Sequence, residues 1–202
     1  MKNNTEVDNL EIIKPLLNFD SPDDFYYLQI LQRKKENPQL GSNSRVIKNY
    51  YITSVANLEG KYDEIKQLCN HFNARASIRL NRRNYESVAL KALINMANSM
   101  QNKEYSFIKK SYDRAVGQGN SEPKATKTWI LDVDGDFSER DQRKLINFIR
   151  GIAPYNPKEV AIIPSKSGLH IVVNPFDLRD FKVEYPEIEV HKNNPTNLYI
   201  PI

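Results

Sequence analysis

Cysteine is almost absent: Cys69 is the single thiol in 202 residues. No disulfide framework, zinc ribbon or iron–sulfur cluster can be assembled from it within the chain. It falls on the apolar stripe Tyr62, Ile65, Leu68/Cys69, Phe72, where a buried core thiol is expected rather than a nucleophile. No run of 18 apolar residues is present, which argues against a membrane-spanning helix. The start, MKNNTEVDNLEII, is polar and mixed in charge, unlike a secretory leader. A soluble cytoplasmic protein without a membrane partner is expected. Internal repeats and low-complexity tracts are also missing. With 40% hydrophobic and 27% charged residues the chain groups with globular proteins, not disordered ones. Its length suffices for one large domain or two small ones with a real core.

The net charge of +4 says little by itself, but the charge is unevenly spread. Residues 1–24 carry Glu6, Asp8, Glu11, Asp20, Asp23 and Asp24 against Lys2 and Lys14. Residues 75–115 carry Arg75, Arg79, Arg82, Arg83, Lys91, Lys103, Lys109, Lys110 and Arg114 against Glu86, Glu104 and Asp113. A positive zone of that size suits a polyphosphate backbone.

Periodicity predicts a short helix at 9–18, strands at 25–32 and 46–53 with a polar loop at 34–45 between them, and a helix at 59–73. A strand is expected at 74–80. A helix follows at 84–101, whose stripe Tyr85, Val88/Ala89, Ala92/Leu93, Met96, Met100 is read as core packing. Gly117, Gly119, Asn120, Ser121 and Pro123 mark 117–127 as a mobile loop. Beyond it, strands are expected at 128–134, 160–164, 169–174, 187–191 and 198–202. Ser138 and Asp141 form a capping-box-like start for a helix at 139–150 that stops at Gly151. This interleaving predicts a compact α+β module with a mostly antiparallel sheet. The organisation read from it is an N-terminal module at 1–116, the loop at 117–127 and a catalytic module at 128–202, forming one composite domain.

Two short motifs carry most of the chemistry. In WILDVD at 129–134, side-chain alternation puts Asp132 and Asp134 on one face and Leu131 and Val133 on the other. Paired carboxylates repel unless a cation lies between them, and oxygen ligands suit Mg²⁺ or Mn²⁺. In SKSGLH at 165–170, Ser165, Lys166, Ser167 and His170 offer hydroxyls, an ammonium and an imidazole. Such a turn favours anions, with Gly168 allowing the backbone to approach a ligand closely. A metal site beside a phosphate site is the minimum equipment for handling a nucleoside triphosphate. In EIEVH at 187–191, alternation groups Glu187, Glu189 and His191, so that Glu189 can complete a metal site. In the basic strand at 73–83, Arg75, Ser77 and Arg79 share a face. Together with Arg82 and Arg83 they form a stripe able to contact nucleic-acid phosphates. Tyr105, Phe107 and Tyr112 lie among nearby bases and can stack on nucleobases.

The strand ILDVD at 130–134, followed by Ser165…His170 and then a strand with a third acid, resembles the archaeo-eukaryotic primase superfamily, the primase-polymerases. The resemblance covers about residues 128–202 by motif, and 46–101 fit the family's N-terminal α/β module only loosely. It implies an RRM-like catalytic sheet combined with that module. It also implies template-directed nucleotidyl transfer from nucleoside triphosphates on a single-stranded or primed DNA template. Asp132 and Asp134, with Glu189 standing where the family usually has Asp, would bind two Mg²⁺ or Mn²⁺ ions. Ser165 or Ser167, with His170 and Lys166, would bind the incoming phosphates. The chain carries no helicase motor, so a separate helicase or replication protein is an expected partner. Two other readings compete. DVDGD at 132–136 resembles the nucleophile loop of haloacid-dehalogenase-type phosphatases, with Asp132 as nucleophile and Asp136 at the usual Thr position. The chain also fits a non-catalytic nucleic-acid-binding relative of the primases.

Overall fold

The aromatic, β-branched stretch near residue 25 forms the centre of a large sheet. In the computed structural model, which describes residues 6–124, 126–155 and 157–202, strand β2 (Asp24–Arg33) is buried on both faces over most of its length. It pairs antiparallel with β3 (Ser44–Ile52) on one side, and with β4 (Arg75–Ile78) and β5 (Arg83–Asn84) on the other. β1 (Val7–Asp8) and β10 (Thr196–Ile200) complete this sheet in the order β1-β10-β4-β2-β3, with β5 off that path. Every residue of β10 is buried, so the end of the 128–202 segment is built into the core of the first sheet.

Helices cover both faces of that sheet. Helix α1 (Leu10–Ile13) and the 3-10 turn Lys14–Leu16 precede β2. Helix α2 (Val55–Phe72) starts where Ser54 Oγ accepts from the Asn57 N–H, and ends where Asn73 adopts a left-handed backbone at φ 45°. It buries Leu58, Tyr62, Ile65 and Cys69 against Tyr26, Leu28 and Ile30. Phe25 and Tyr27 point the other way, onto Val88 and Ala92 of α3 (Tyr85–Gln101) and Ala115 and Val116 of α4 (Ser111–Gln118). Cys69 is fully buried, as its place on the stripe predicts.

Beyond residue 128 the order is β6 (Trp129–Asp134), α5 (Glu139–Arg150), β7 (Glu159–Pro164), β8 (Gly168–Val173), α6 (Leu178–Glu184) and β9 (Glu189–His191). Their sheet runs β7-β8-β6-β9, antiparallel throughout. One face carries Leu131, Val133, Ile171 and Val173, packed with Leu145 and Ile149 of α5 and Phe181 of α6. From the other face, Ile163 and Val172 join the core of the first sheet. Asn9 clamps the junction: its Nδ2 donates to the carbonyls of Pro164 and Asn197, both at 2.9 Å. The molecule is therefore a mixed α+β fold with antiparallel sheets, as expected. Among the described residues no helix is long and apolar enough to cross a membrane.

The structure adds detail to two expectations and supplies two helices that were not expected. The stripe on α3 is only partly core: Val88 and Ala92 are buried, whereas Ala89, Leu93 and Met100 are exposed. A helix lying on a sheet with one helical neighbour buries a narrower arc than its full apolar pattern. Within 117–127, Gly117 and Gln118 are helical, and Ser121 N–H donates to the Arg82 carbonyl at 2.9 Å. The Glu122 carboxylate also accepts from the Arg82 N–H at 3.1 Å. The segment is thus tied to the first sheet on its N-terminal side, while Ala125 lies outside the described residues. Helices α4 and α6 escaped the periodicity reading because they are short and bury few apolar side chains.

Candidate active site

Register across the second sheet assembles the site. Asp132 on β6 stands directly opposite His170 on β8 and opposite Glu189 on β9. All three therefore share a face, which is the face turned toward the first sheet. His170 Nε2 lies 3.4 Å from Asp132 Oδ1. On its other side, His170 Nδ1 shares a 2.8 Å hydrogen bond with the Thr196 hydroxyl of β10, so a strand of the first sheet orients this ring. His191 Nε2 lies 3.6 Å from Asp132 Oδ2 and 3.4 Å from Glu189 Oε2. The Asn194 amide donates to His191 Nδ1 at 3.0 Å, which leaves Nε2 to carry the proton facing the carboxylates. His170 holds the Asp132 carboxyl below its ordinary value and His191 adds to the effect, against the opposing influence of burial. Asp132 is therefore an anion across the neutral range.

The turn between β7 and β8 supplies the second half. Ser165 N–H donates to the Gly168 carbonyl at 2.9 Å, closing the turn. Gly135, at φ +85°, donates its N–H to the Ser167 carbonyl at 2.7 Å. This joins the turn to the end of β6, at a backbone angle that glycine adopts without strain. The Ser167 hydroxyl approaches Asp134 Oδ1 at 3.5 Å. Gly168 is required by the fold itself. A Cβ there would lie 2.0 Å from the Val133 carbonyl oxygen. The close approach it permits here is to strand β6.

These groups line one cavity of about 350 Å³ between the two sheets. Asp132, Asp134, Ser165, Lys166, Ser167 and His170 all reach it, and Arg75 and Ser77 of β4 form the facing wall. Arg33, Lys35, His191 and Asn194 also line it. Arg75 is engaged by Glu36 at 2.5 Å. Lys35 and Lys166 have no carboxylate within ion-pair distance among the described residues. The cavity thus holds both signs of charge: carboxylates from β6, and cations from the β7–β8 turn and from the facing wall.

Other expected site residues lie elsewhere. Glu189 is mostly exposed, touches His191, and lines a separate depression beside α6 rather than this cavity. The reason is that β9 is the edge strand, which leaves the longer Glu side chain free to turn outward. Arg79 is turned inward, its guanidinium donating to the Asn193 carbonyl. Arg82 is buried and ion-paired with Asp20, with Asp24 at 3.4 Å and with Glu122 at 3.6 Å. Arg83 is fully buried. Of the four arginines expected to contact phosphates, Arg75 alone lines the cavity, beside Ser77 of the same strand, because β4 ends at Ile78 and the chain then turns inward. Tyr105, Phe107 and Tyr112 are exposed.

The sequence reading missed Arg33, Lys35, Thr196 and Asn194, and assigned no role to His191. The basic run Arg33-Lys34-Lys35 carries a signal, but Lys34 and Lys35 fall in the polar loop expected at 34–45 and Arg33 at its edge. Thr196 carried none, because its role depends on β10 crossing back to the first sheet.

Among the described residues no three His, Cys, Asp or Glu side chains are grouped to hold a metal ion. The donor set that is present, two carboxylates on one strand face, matches the way Mg²⁺ binds through one or two carboxylates plus substrate phosphates. Comparison of the chain with protein-family models, with curated proteins and with solved structures finds no match.

Proposed function

We propose that this chain is a template-directed nucleotidyltransferase of the primase-polymerase type, with its active site in the cavity between the sheets. One observation carries the reading: the Asp132/Asp134 pair and the Ser165–Lys166–Ser167/His170 set line a single cavity. The βαββαβ order of β6 to β9, with sheet order β7-β8-β6-β9, supports the RRM-like catalytic sheet expected of that family.

In this reading Lys166 and His170 neutralise and orient the phosphates of an incoming nucleoside triphosphate, with a hydroxyl from Ser165 or Ser167. Lys35 and Arg75 on the facing wall add positive potential for the triphosphate or the template backbone. Asp132 and Asp134 would hold Mg²⁺ or Mn²⁺, which would supply Lewis acidity toward the primer hydroxyl and positive charge for the leaving pyrophosphate. Thr196 fixes the His170 ring, so the phosphate-facing donor is in position before substrate arrives. Phosphoryl transfer depends mostly on positioning and charge stabilisation, so so few side chains suffice. Glu189 would act through His191 rather than as a direct ligand. A single-stranded or primed DNA template and a separate helicase or replication protein remain the partners this reading requires.

The test is incorporation of labelled ribo- and deoxyribonucleotides on primed and single-stranded templates with Mg²⁺ or Mn²⁺. Incorporation that disappears in Asp132→Ala and Asp134→Ala supports the assignment. Full extension by the double variant would refute it. A phosphatase would instead release phosphate from an aryl phosphate. That reading has less support, since Asp132 sits mid-sheet between His170 and Glu189 in an antiparallel arrangement. A binding module would shift oligonucleotides without either activity.

A further inference from the structure

A second cavity, also of about 350 Å³, lies between the first turns of α3, the end of α4 and the segment that follows it. Its innermost wall is Arg83, whose side chain is fully buried. Burying a charge is costly unless it is paired. Among the described residues Arg83 has no carboxylate within ion-pair distance. Its guanidinium donates only to neutral acceptors: the Val116 carbonyl at 3.1 Å, the Asn81 carbonyl, and Asn193 Oδ1 at 2.9 Å. Each of the three guanidinium nitrogens thus meets an uncharged oxygen, and none meets a carboxylate. Burial and the like charge of Arg79 push the group down to about 9. The charge is therefore held by neutral groups at the wall of the cavity.

The rest of the lining is consistent with one ligand class. Lys91 brings a second cation, on the solvent side, and Ser87 and Ser121 bring hydroxyls. Val88 and Ala115 form an apolar wall. Gln118 and Asn120 carry amides, which offer paired donor and acceptor groups of the kind a nucleobase edge requires. The volume is within the range of small-ligand sites, roughly 300–1,000 Å³. Arginine is the side chain best suited to a phosphate in a desolvated setting.

We propose that this cavity is a binding site for a mononucleotide, its phosphate held by Arg83 and Lys91 and its base against Val88 and Ala115. It is separate from the cavity between the sheets and does not depend on the catalytic reading. Asn193 connects the two regions. It accepts from Arg83, and its Nδ2 donates to the Gly117 carbonyl at 3.1 Å. The adjacent Asn194 holds His191.

The test is calorimetric titration of the full chain with AMP, with chelator present to keep divalent metals away. Substituting Arg83 would disturb α4 and the Asn193 contact, so Lys91→Glu is the probe; Lys91 is exposed and its loss leaves the fold intact. A Lys166→Ala/His170→Ala chain removes phosphate binding at the other cavity. Saturable AMP binding that persists in Lys166→Ala/His170→Ala and weakens at least tenfold in Lys91→Glu is the expected result. The proposal is overturned if Lys91→Glu binds AMP unchanged, or if binding vanishes with Lys166 and His170. Absence of any binding up to about 1 mM also overturns it. A Lys91-dependent site that takes a 5′-phosphorylated oligothymidylate but not AMP overturns the assignment to a mononucleotide.

Discussion

The two faces of the second sheet are made by the same strands and have opposite characters. On one, Leu131, Val133, Ile171 and Val173 interlock with α5 and α6 and exclude water. On the other, Asp132, Asp134 and His170 open onto a charged cavity, while Ile163 and Val172, with Ala161 beside them, are sealed into the neighbouring core. Alternation along a strand separates the two by a single residue at each step. Apolar packing is therefore concentrated on one face and charge on the other.

The largest expected effect is on the polar face. Asp132→Ala or Asp134→Ala lowers nucleotide incorporation by about 10²–10³-fold, the scale of losing a group that stabilises transition-state charge. Stability changes by less than about 1 kcal/mol for exposed Asp134, and by about 1–3 kcal/mol for half-buried Asp132, whose loss leaves buried His170 without its carboxylate. Urea melts beside incorporation assays check both. A matching fall in stability would erase the distinction between the faces. The apolar face predicts the reverse. Leu131→Ala costs about 2–5 kcal/mol of unfolding free energy, read from the shift in urea midpoint. At temperatures where it stays folded it retains incorporation. Gly168→Ala bridges the two faces. Its methyl would strike the Val133 carbonyl, so about 1–3 kcal/mol is lost, and incorporation falls because β8 carries His170. A neutral melt would mean that the two strands are further apart than described. The smallest effect concerns the first sheet. Burial pushes the Cys69 thiol up to about 12, so a disulfide reagent at pH 8 leaves it unmodified until the protein is denatured. Rapid labelling of native protein would show that α2 opens from the sheet.

The basic segment at 75–83 shows what charge in a sequence does not reveal. Arg75 and Arg82 look equivalent as residues, yet Arg75 faces the cavity, whereas Arg82 is closed in by Asp20, Asp24 and Glu122. Two of those acids come from the N-terminal cluster that appeared as a separate acidic region. The apparent charge asymmetry is in part a pairing between distant segments. Glu189 shows the opposite limit: alternation placed it on the correct face of β9, but not where the edge strand would aim it.

Local pattern was enough for the elements whose periodicity is strong. The two-residue alternation of WILDVD, the Ser138 cap before α5 and the apolar stripe of α2 are short-range properties, written in neighbouring residues and legible from them. The shared face of Asp132 and Asp134 follows from the same alternation. Which strands stand beside β6, and hence that His170 and Glu189 flank Asp132, depended on pairing between segments far apart in the chain. So did the crossing of β10 into the first sheet, the Thr196 contact to His170 and the Arg83 cavity. Such contacts are selected by burial and hydrogen-bond satisfaction across the whole chain, which no short window of residues contains.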